Sequence, residues 1–196
     1  MANVSQKLFG NSTKPSLGSG DNDSMLEEFF TACIKDIFYA EKLIIVTLPK
    51  MIKAATSSDL IETFEVHLEV TKTQVTRLER IFELLGQEPL AKKCEAIEGI
   101  VKEGESIIEE TEEGSATRDV GLIFAAQKVE HYEIATYGGL VQLATTLGMD
   151  EVAELLRSTL EEEKEADLML SDIAESNINE DAADEDGEDN KDKNNY

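Results

Sequence analysis

Two carboxylates, Glu130 and Glu133, stand one helical turn apart in a segment whose apolar residues recur with helical spacing. On a helix that turns about 100° per residue, Glu133 falls at the centre of the apolar stripe and Glu130 flanks it. A bundle helix buries such a stripe, and an ionised carboxylate in an apolar interior is strongly destabilising without compensation. The sequence therefore requires a partner that neutralises Glu133.

Two further helical segments carry a carboxylate in the same place. Glu41 lies near the centre of the first apolar stripe and Glu163 near the centre of the last, with Asp167 one turn further on. Glu133 and Glu163 are equally distant in sequence from Gly148, so an antiparallel hairpin that turns at Gly148 places them opposite each other. The carboxylates are therefore predicted to converge at one level of a bundle.

A single glutamate on an apolar stripe is most often paired with lysine or arginine, but this explanation fits the group of carboxylates poorly. No basic residue lies near the centre of any of the stripes. Several buried carboxylates repel one another and take up protons unless cations are present. We therefore predict two divalent metal ions; the oxygen-rich ligands favour iron, with manganese as the alternative.

The second helix contributes less obvious candidates. His67 borders its apolar stripe and is predicted either as a metal ligand or as a group that hydrogen-bonds to one, the alternative being a packed core histidine. Thr71 faces the core at the expected level, with Gln74 near the edge of the stripe. His131 faces away from Glu133 and is predicted to be structural. Tyr137 is predicted to pack in the core, with a hydrogen bond to a ligand as the alternative.

The elements that position these residues are all predicted to be helices. Ser24 and Glu27 form a capping box that starts the first helix, and Gly86 ends the second. A connection over residues 87–116 holds a shorter amphipathic segment, and Ser115 or Thr117 caps the next long helix. Short turns within each pair of long helices predict two antiparallel hairpins, and the long middle segment suits a crossover. The predicted organisation is a flexible leader (1–23), a helical bundle (24–176) and a disordered acidic tail (177–196).

Composition excludes several classes of function. The 196 residues are 41% hydrophobic and carry a formal net charge of −24, which disfavours direct binding to a nucleic-acid backbone. No apolar run is long enough to span a bilayer, and the N-terminus lacks a signal-peptide pattern, so a cytoplasmic location is expected. Cys33 and Cys94 are predicted to be buried reduced thiols.

Five separated motifs carry a family resemblance. They are Asp36–Lys42 (DIFYAEK), Phe64–Thr71 (FEVHLEVT), Lys93–Gly99 (KCEAIEG), Gln127–Tyr137 (QKVEHYEIATY) and Leu160–Asp167 (LEEEKEAD). In this order they resemble the YciE/YciF branch of the ferritin-like superfamily, over roughly residues 25–175. The resemblance implies a four-helix ferritin-like bundle with a short extra helix, a homodimer and a di-iron-type centre.

By this resemblance the carboxylate positions are Glu41, Glu130, Glu133 and Glu163, with His67 and Asp167 as further candidates. The sequence departs from ferritins and rubrerythrins, because neither Glu65 nor Glu163 begins a Glu-x-x-His motif. The leading hypothesis is a di-metal carboxylate protein that oxidises Fe(II) with oxygen or peroxide in stress protection. The alternatives are a non-enzymatic helical stress-response or structural protein, and manganese-catalase-like peroxide dismutation.

Overall fold

Four long helices make up most of residues 24–192, and a shorter helix lies in the connection between the two pairs. The structure is a computed structural model that describes residues 24–192, with side chains up to residue 185. The predicted leader (1–23) lies outside the described residues. The helices are α1 (Met25–Ala54), α2 (Ser58–Leu84), α3 (Glu95–Glu110), α4 (Ala116–Thr146), α5 (Asp150–Ile173) and α6 (Asn179–Asp192), with a π-helical turn at Ala174–Ile178. Residues 24–192 contain no strand, which confirms the all-α prediction.

The helix starts follow the local sequence signals. The Glu27 carboxylate accepts a hydrogen bond from the Ser24 backbone N–H at 2.6 Å, while the Ser24 hydroxyl accepts one from the Glu27 N–H at 3.2 Å. This capping box satisfies donors that the first turn of a helix leaves free. At α4 the cap is Ser115, whose hydroxyl accepts from the Arg118 N–H, so Ser115 is the correct one of the two predicted caps.

Two glycines end α2 and α4 in the same way. Gly86 and Gly148 adopt φ values of 64° and 70° in the left-handed region. At Gly148, the backbone N–H of the glycine donates to the Thr145 carbonyl and that of Met149 donates to the Ala144 carbonyl. This Schellman arrangement satisfies the last carbonyls of the helix and reverses the chain. The resulting tight turn makes α4 and α5 an antiparallel pair.

The two hairpins, α1–α2 and α4–α5, pack together through contacts of α1 with α4 and of α2 with α5. The Phe38 and Phe82 rings meet edge to face inside the first hairpin, with centroids 5.2 Å apart. Helix α3 lies across α1 and α4. Its close approach needs Gly121 on α4, because a Cβ there would lie 2.5 Å from the Ile107 side chain. The crossover predicted from the long connection is therefore a packed helix.

Residues 177–192, which belong to the predicted disordered tail (177–196), form the end of the π-helical turn and helix α6. Ile178 is buried against the bundle, and α6 continues from Asn179. The Glu185 carboxylate accepts hydrogen bonds from the backbone N–H groups of Ala116 and Thr117, at the start of α4. A carboxylate is stabilising at a helix N-terminus, and Ile178 supplies an apolar anchor, so these residues pack despite their acidic composition.

No helix within residues 24–192 combines the length and the apolar character that crossing a bilayer would require.

We expect Gly148→Ala to lower the free energy of unfolding by about 1 kcal/mol, because an alanine is strained at positive φ. Gly139 in α4 is the matched control. Neither glycine has a neighbour within 4 Å of an added Cβ, but Gly139 has ordinary helical backbone. Gly139→Ala is expected to raise stability by about 0.5–1 kcal/mol. Urea titration of both variants measures the difference, and equal effects would contradict the assigned role of Gly148.

Candidate metal centre

Three helices send ionisable side chains into one region of the core. Glu130 and Glu133 come from α4, Glu163 from α5 and His67 from α2, and all four are buried. One potential ligand atom from each of these residues lies within 4.8 Å of the others. The structure therefore brings together carboxylates that helical spacing predicts to converge, and adds His67 to them.

Glu41 on α1 borders this group of four and brings in the fourth long helix. Its side chain is 0% exposed, and the Tyr137 hydroxyl, which is equally buried, donates a hydrogen bond to its Oε1. The sequence predicts Glu41 as a carboxylate of the site, and Tyr137 as a residue that packs or hydrogen-bonds to a ligand. In the structure Tyr137 fills the core and its hydroxyl also orients the Glu41 carboxylate. We call Glu41, His67, Glu130, Glu133 and Glu163 together the acidic cluster.

Two side chains of α2, the Gln74 amide and the Arg77 guanidinium, contact carboxylates of α5 in or beside the cluster. The Gln74 amide donates to Glu163 Oε1 and, at 3.1 Å, to Glu162 Oε2. Arg77 instead forms a two-pronged ion pair with Glu162, with both N···O distances 2.8 Å. The guanidinium beside the cluster is thus bound to the neighbour of Glu163. No Lys or Arg ion pair with a cluster carboxylate occurs within the described side chains.

The cluster leaves several buried polar atoms without a partner. Among the described residues, every fully buried side-chain nitrogen or oxygen that lacks a hydrogen bond belongs to the cluster or to Gln74 beside it. These atoms are Glu41 Oε2, His67 Nε2, Gln74 Oε1, Glu130 Oε2, Glu133 Oε1 and Glu163 Oε2. Folded proteins pair the great majority of such atoms, and an exception indicates strain or a missing ion or water. The cluster could therefore hold a metal ion, because carboxylate oxygens and imidazole nitrogens are ligands of divalent metals.

Burial raises the pKa of all four glutamates of the cluster. It raises the pKa of Glu163 to about 7. The pKa values of Glu41 and Glu130 are raised well above the usual range by burial and then by the charge of Glu163. Burial and the charge of Glu41 raise the pKa of Glu133 in the same way. The metal-free cluster therefore holds protons that ordinary glutamates release, and cations must displace them.

The pKa of His67 is shifted in the opposite direction, because burial disfavours the charged imidazolium and lowers the pKa to about 4. At neutral pH its imidazole is uncharged, which is the form that binds metals. Nε2 lies 3.5 Å from Glu130 Oε1, beyond a good hydrogen bond. The histidine thus presents a free nitrogen to the cluster.

Three other residues on or near the predicted site have different surroundings. Asp167 is partly exposed, and its Oδ1 is 3.3 Å from Nε2 of the largely exposed His131. It does not belong to the group of four close ligand atoms, so its predicted ligand role stays a prediction. Thr71 is fully buried at the expected level of α2, but its hydroxyl donates to the His67 backbone carbonyl. Thr71 therefore fills space beside the cluster without offering it a free donor.

Gln74 and the Arg77–Glu162 pair are the features that sequence reasoning missed. The helical projection puts Gln74 near the edge of its stripe, yet it is 1% exposed and touches Glu163. The sequence signal that could have placed Gln74 in the core is its spacing of about one helical turn from the core-facing Thr71. Nothing in the sequence alone ties Arg77 to Glu162, because an ion pair between α2 and α5 depends on how the hairpins dock.

The fold and the acidic cluster define an α-helical bundle protein with a candidate metal centre. The family described as "Domain of unknown function (DUF892)" matches residues 25–183, and the chain belongs to that family. Protein YciF of Escherichia coli (strain K12) is 42% identical over 159 residues, which cover 81% of this chain and 95% of that protein.

Solved structures show the same fold. The E. coli stress protein YciF is similar with a TM-score of 0.75 and 40% identity, covering 80% of this chain and 99% of that chain. YcfI of Rhodopseudomonas palustris, described as a candidate structural protein, gives a TM-score of 0.72 at 40% identity, over 76% of this chain and 94% of that chain. A Xanthomonas campestris protein at 23% identity has a TM-score of 0.58, over 76% and 91% of the two chains, and supports the fold alone.

We expect the stability of the metal-free protein to fall as pH rises from about 6.5 to 8, through the folded pKa of Glu163. Glu163 has an ordinary pKa of 4.5 in the unfolded chain and a folded pKa of about 7, so the folded state keeps a proton that the unfolded state has lost. More protons bound in the folded state make stability decrease with pH. His67, whose pKa is lowered from 6.5 to about 4, acts in the opposite sense, but its effect fades as the pH passes 7.

Chemical denaturation in EDTA across this range measures the slope. Glu163→Gln should make the slope shallower, because the amide does not titrate, while Glu161→Gln, an exposed neighbour on α5, should leave it unchanged. A metal-free protein whose stability rises over this range would show that the buried carboxylates are ionised without cations.

Proposed function

We propose that the acidic cluster binds two divalent metal ions and that the protein oxidises Fe(II) with dioxygen or peroxide, as a ferritin-like di-metal carboxylate protein. The observation that carries this proposal is the set of unpaired, buried ligand atoms on four helices. An interior that served only packing would seldom gather so many such atoms in one place, because each unpaired buried polar group is destabilising by about 1–3 kcal/mol.

Charge balance supports two ions rather than one. Once deprotonated, Glu41, Glu130, Glu133 and Glu163 carry four negative charges, and His67 adds none because burial keeps it neutral. Two divalent ions cancel four carboxylates, whereas one ion would leave two uncompensated charges in a dry interior.

The ligand types favour iron or manganese. Four carboxylates and one imidazole form an oxygen-rich set, and the close group His67, Glu130, Glu133 and Glu163 contains no cysteine. Thiolate-rich tetrahedral sites select zinc, whereas oxygen-rich sites suit iron and manganese. Fe(II) serves as the substrate here: two ions give up one electron each, and dioxygen with two protons is reduced to hydrogen peroxide, or peroxide with two protons to water.

The residues of this chain supply binding, orientation and protons for that reaction. The carboxylates release their protons as the ions enter, since metal binding requires the deprotonated form. Tyr137 fixes one oxygen of Glu41 and Gln74 fixes one oxygen of Glu163, so in each residue the other oxygen stays free for a metal ion. Apolar side chains of the surrounding core, such as Phe38 and Leu122, are fully buried and exclude bulk water.

The relatives fit this role without establishing it. YciF is described as a stress protein, and oxidation of Fe(II) lowers the amount of iron that is free to react with peroxide. Homodimer formation, a cytoplasmic location and the absence of nucleic-acid binding stay predictions from the sequence.

We expect wild-type protein to bind two Fe(II) ions per chain in an anaerobic titration, and to oxidise them on addition of dioxygen or peroxide. Glu133→Ala should weaken Fe(II) binding by at least about 10–100-fold, because its carboxylate lies close to Glu130 and Glu163 within the cluster. Glu161→Ala on the exposed face of α5 is the control and should behave like wild type.

Wild-type protein that binds no metal, or Glu133→Ala protein with undiminished oxidation, would remove the proposal. Oxygen released from peroxide by the manganese-loaded protein without a reductant would instead identify peroxide dismutation.

A structural role without metal is the second candidate, because YcfI is described as a candidate structural protein and protonated carboxylates can remain buried. The two candidates differ in the effect of a chelator. If metal is bound, EDTA should lower the free energy of unfolding by about 2.7 kcal/mol for metal at a hundredfold excess over its Kd. Thermal unfolding that is identical with and without EDTA would favour the structural role.

A further inference from the structure

A cavity of about 30 Å³ adjoins the acidic cluster on the side of His67 and Glu130. It lies between α1, α2, α4 and α5, and its wall is almost wholly apolar. The apolar residues that form most of this wall are Ile44, Leu48, Met51, Phe64, Val129 and Leu170. Roughly 10–15 Å³ of such volume holds one water molecule, so the space admits a molecule of two heavy atoms.

The polar side chains of the wall are few, namely Thr47, Thr63, His67 and Glu130. The Thr47 hydroxyl donates to the Leu43 carbonyl at 2.9 Å, and the Thr63 hydroxyl contacts the Met169 sulfur at 4.0 Å. Once His67 and Glu130 bind metal ions, the acceptor lone pairs of the two threonine hydroxyls are the main polar side-chain groups left in the lining. A water needs two to four polar partners, and apolar cavities stay dry and take up apolar guests such as xenon.

We infer that this cavity, here named the apolar cavity, holds a small apolar molecule against the metal centre, with dioxygen as its natural occupant. The inference rests on the proposed function and narrows it, because it selects dioxygen over peroxide as the oxidant that the protein is built to receive. Hydrogen peroxide carries two hydroxyl groups and would lose its hydrogen bonds to water on entering a cavity with an apolar lining. Dioxygen loses none.

Two adjacent alanines on α4 allow a matched test. Ala126 lines the apolar cavity, whereas Ala125 lines a separate cavity of about 20 Å³ between α1, α3 and α4, which no cluster residue lines. Both alanines are buried, so Ala126→Val and Ala125→Val carry similar costs in helix propensity and packing. Only the first fills the apolar cavity. Ala166→Val fills it from α5 and provides a second variant if Ala126→Val folds poorly.

The first measurement uses crystals loaded with Zn(II), a redox-inert ion, and pressurised with xenon; anomalous scattering locates both elements. We expect xenon beside His67 in wild type and Ala125→Val, and none there in Ala126→Val or Ala166→Val. An ordered water hydrogen-bonded in place of xenon in wild type, or no xenon at all beside bound zinc, would overturn the inference while leaving the proposed function intact.

The second measurement is Fe(II) oxidation with each oxidant. Ala126→Val and Ala166→Val should slow the reaction with dioxygen by about tenfold or more, with Fe(II) stoichiometry and the peroxide reaction unchanged. Equal slowing with both oxidants would overturn the assignment of the cavity to dioxygen. Wild-type protein that binds neither Zn(II) nor Fe(II) would overturn the proposed function, and the role of the cavity with it.

Discussion

Four carboxylates buried at one level of the bundle are the constraint on which the rest of the structure depends. Glu41 comes from the first hairpin and Glu130, Glu133 and Glu163 from the second, so the repulsion between Glu41 and the other three acts across the surface where the hairpins dock. Either protons or cations can relieve it, and the two compete for the same oxygens. Neutral donors, Tyr137 among them, hold the oxygens in place without cancelling their charge. The architecture thereby leaves carboxylate oxygens without a basic partner, whereas a lysine or arginine in the same place would have formed an ion pair with them.

Much of this arrangement follows from the sequence because helices convert spacing into direction. The capping box at Ser24, the glycine at 148 and the apolar stripes define the ends and the inner faces of the long helices. Once the second hairpin is antiparallel, Glu133 and Glu163 must lie at the same level, and both are buried in the structure. Local signals suffice here, because the side chains concerned lie at the centres of their stripes.

Other features depend on how the helices dock, which spacing does not report. A helical projection gives the angle of a side chain but not how far its terminal atoms reach, so it places Gln74 at the edge of the core and Asp167 among the candidate ligands. In the structure Gln74 extends to Glu163, while Asp167 lies beside His131. The charge of the tail alone predicts disorder. This prediction does not take into account that a carboxylate, here that of Glu185, is stabilised at the N-terminus of a helix, here α4.

The ion pair between Arg77 and Glu162 has a consequence for the neighbouring cluster. The Gln74 amide touches both Glu162 and Glu163, which puts the two carboxylates within reach of the same part of α2. Glu162 therefore forms the ion pair with the Arg77 guanidinium, which lies beside the acidic cluster. Removing the Glu162 carboxylate would leave the guanidinium with the Thr159 hydroxyl alone, and an arginine that turned toward Glu163 would compete with a cation for that carboxylate.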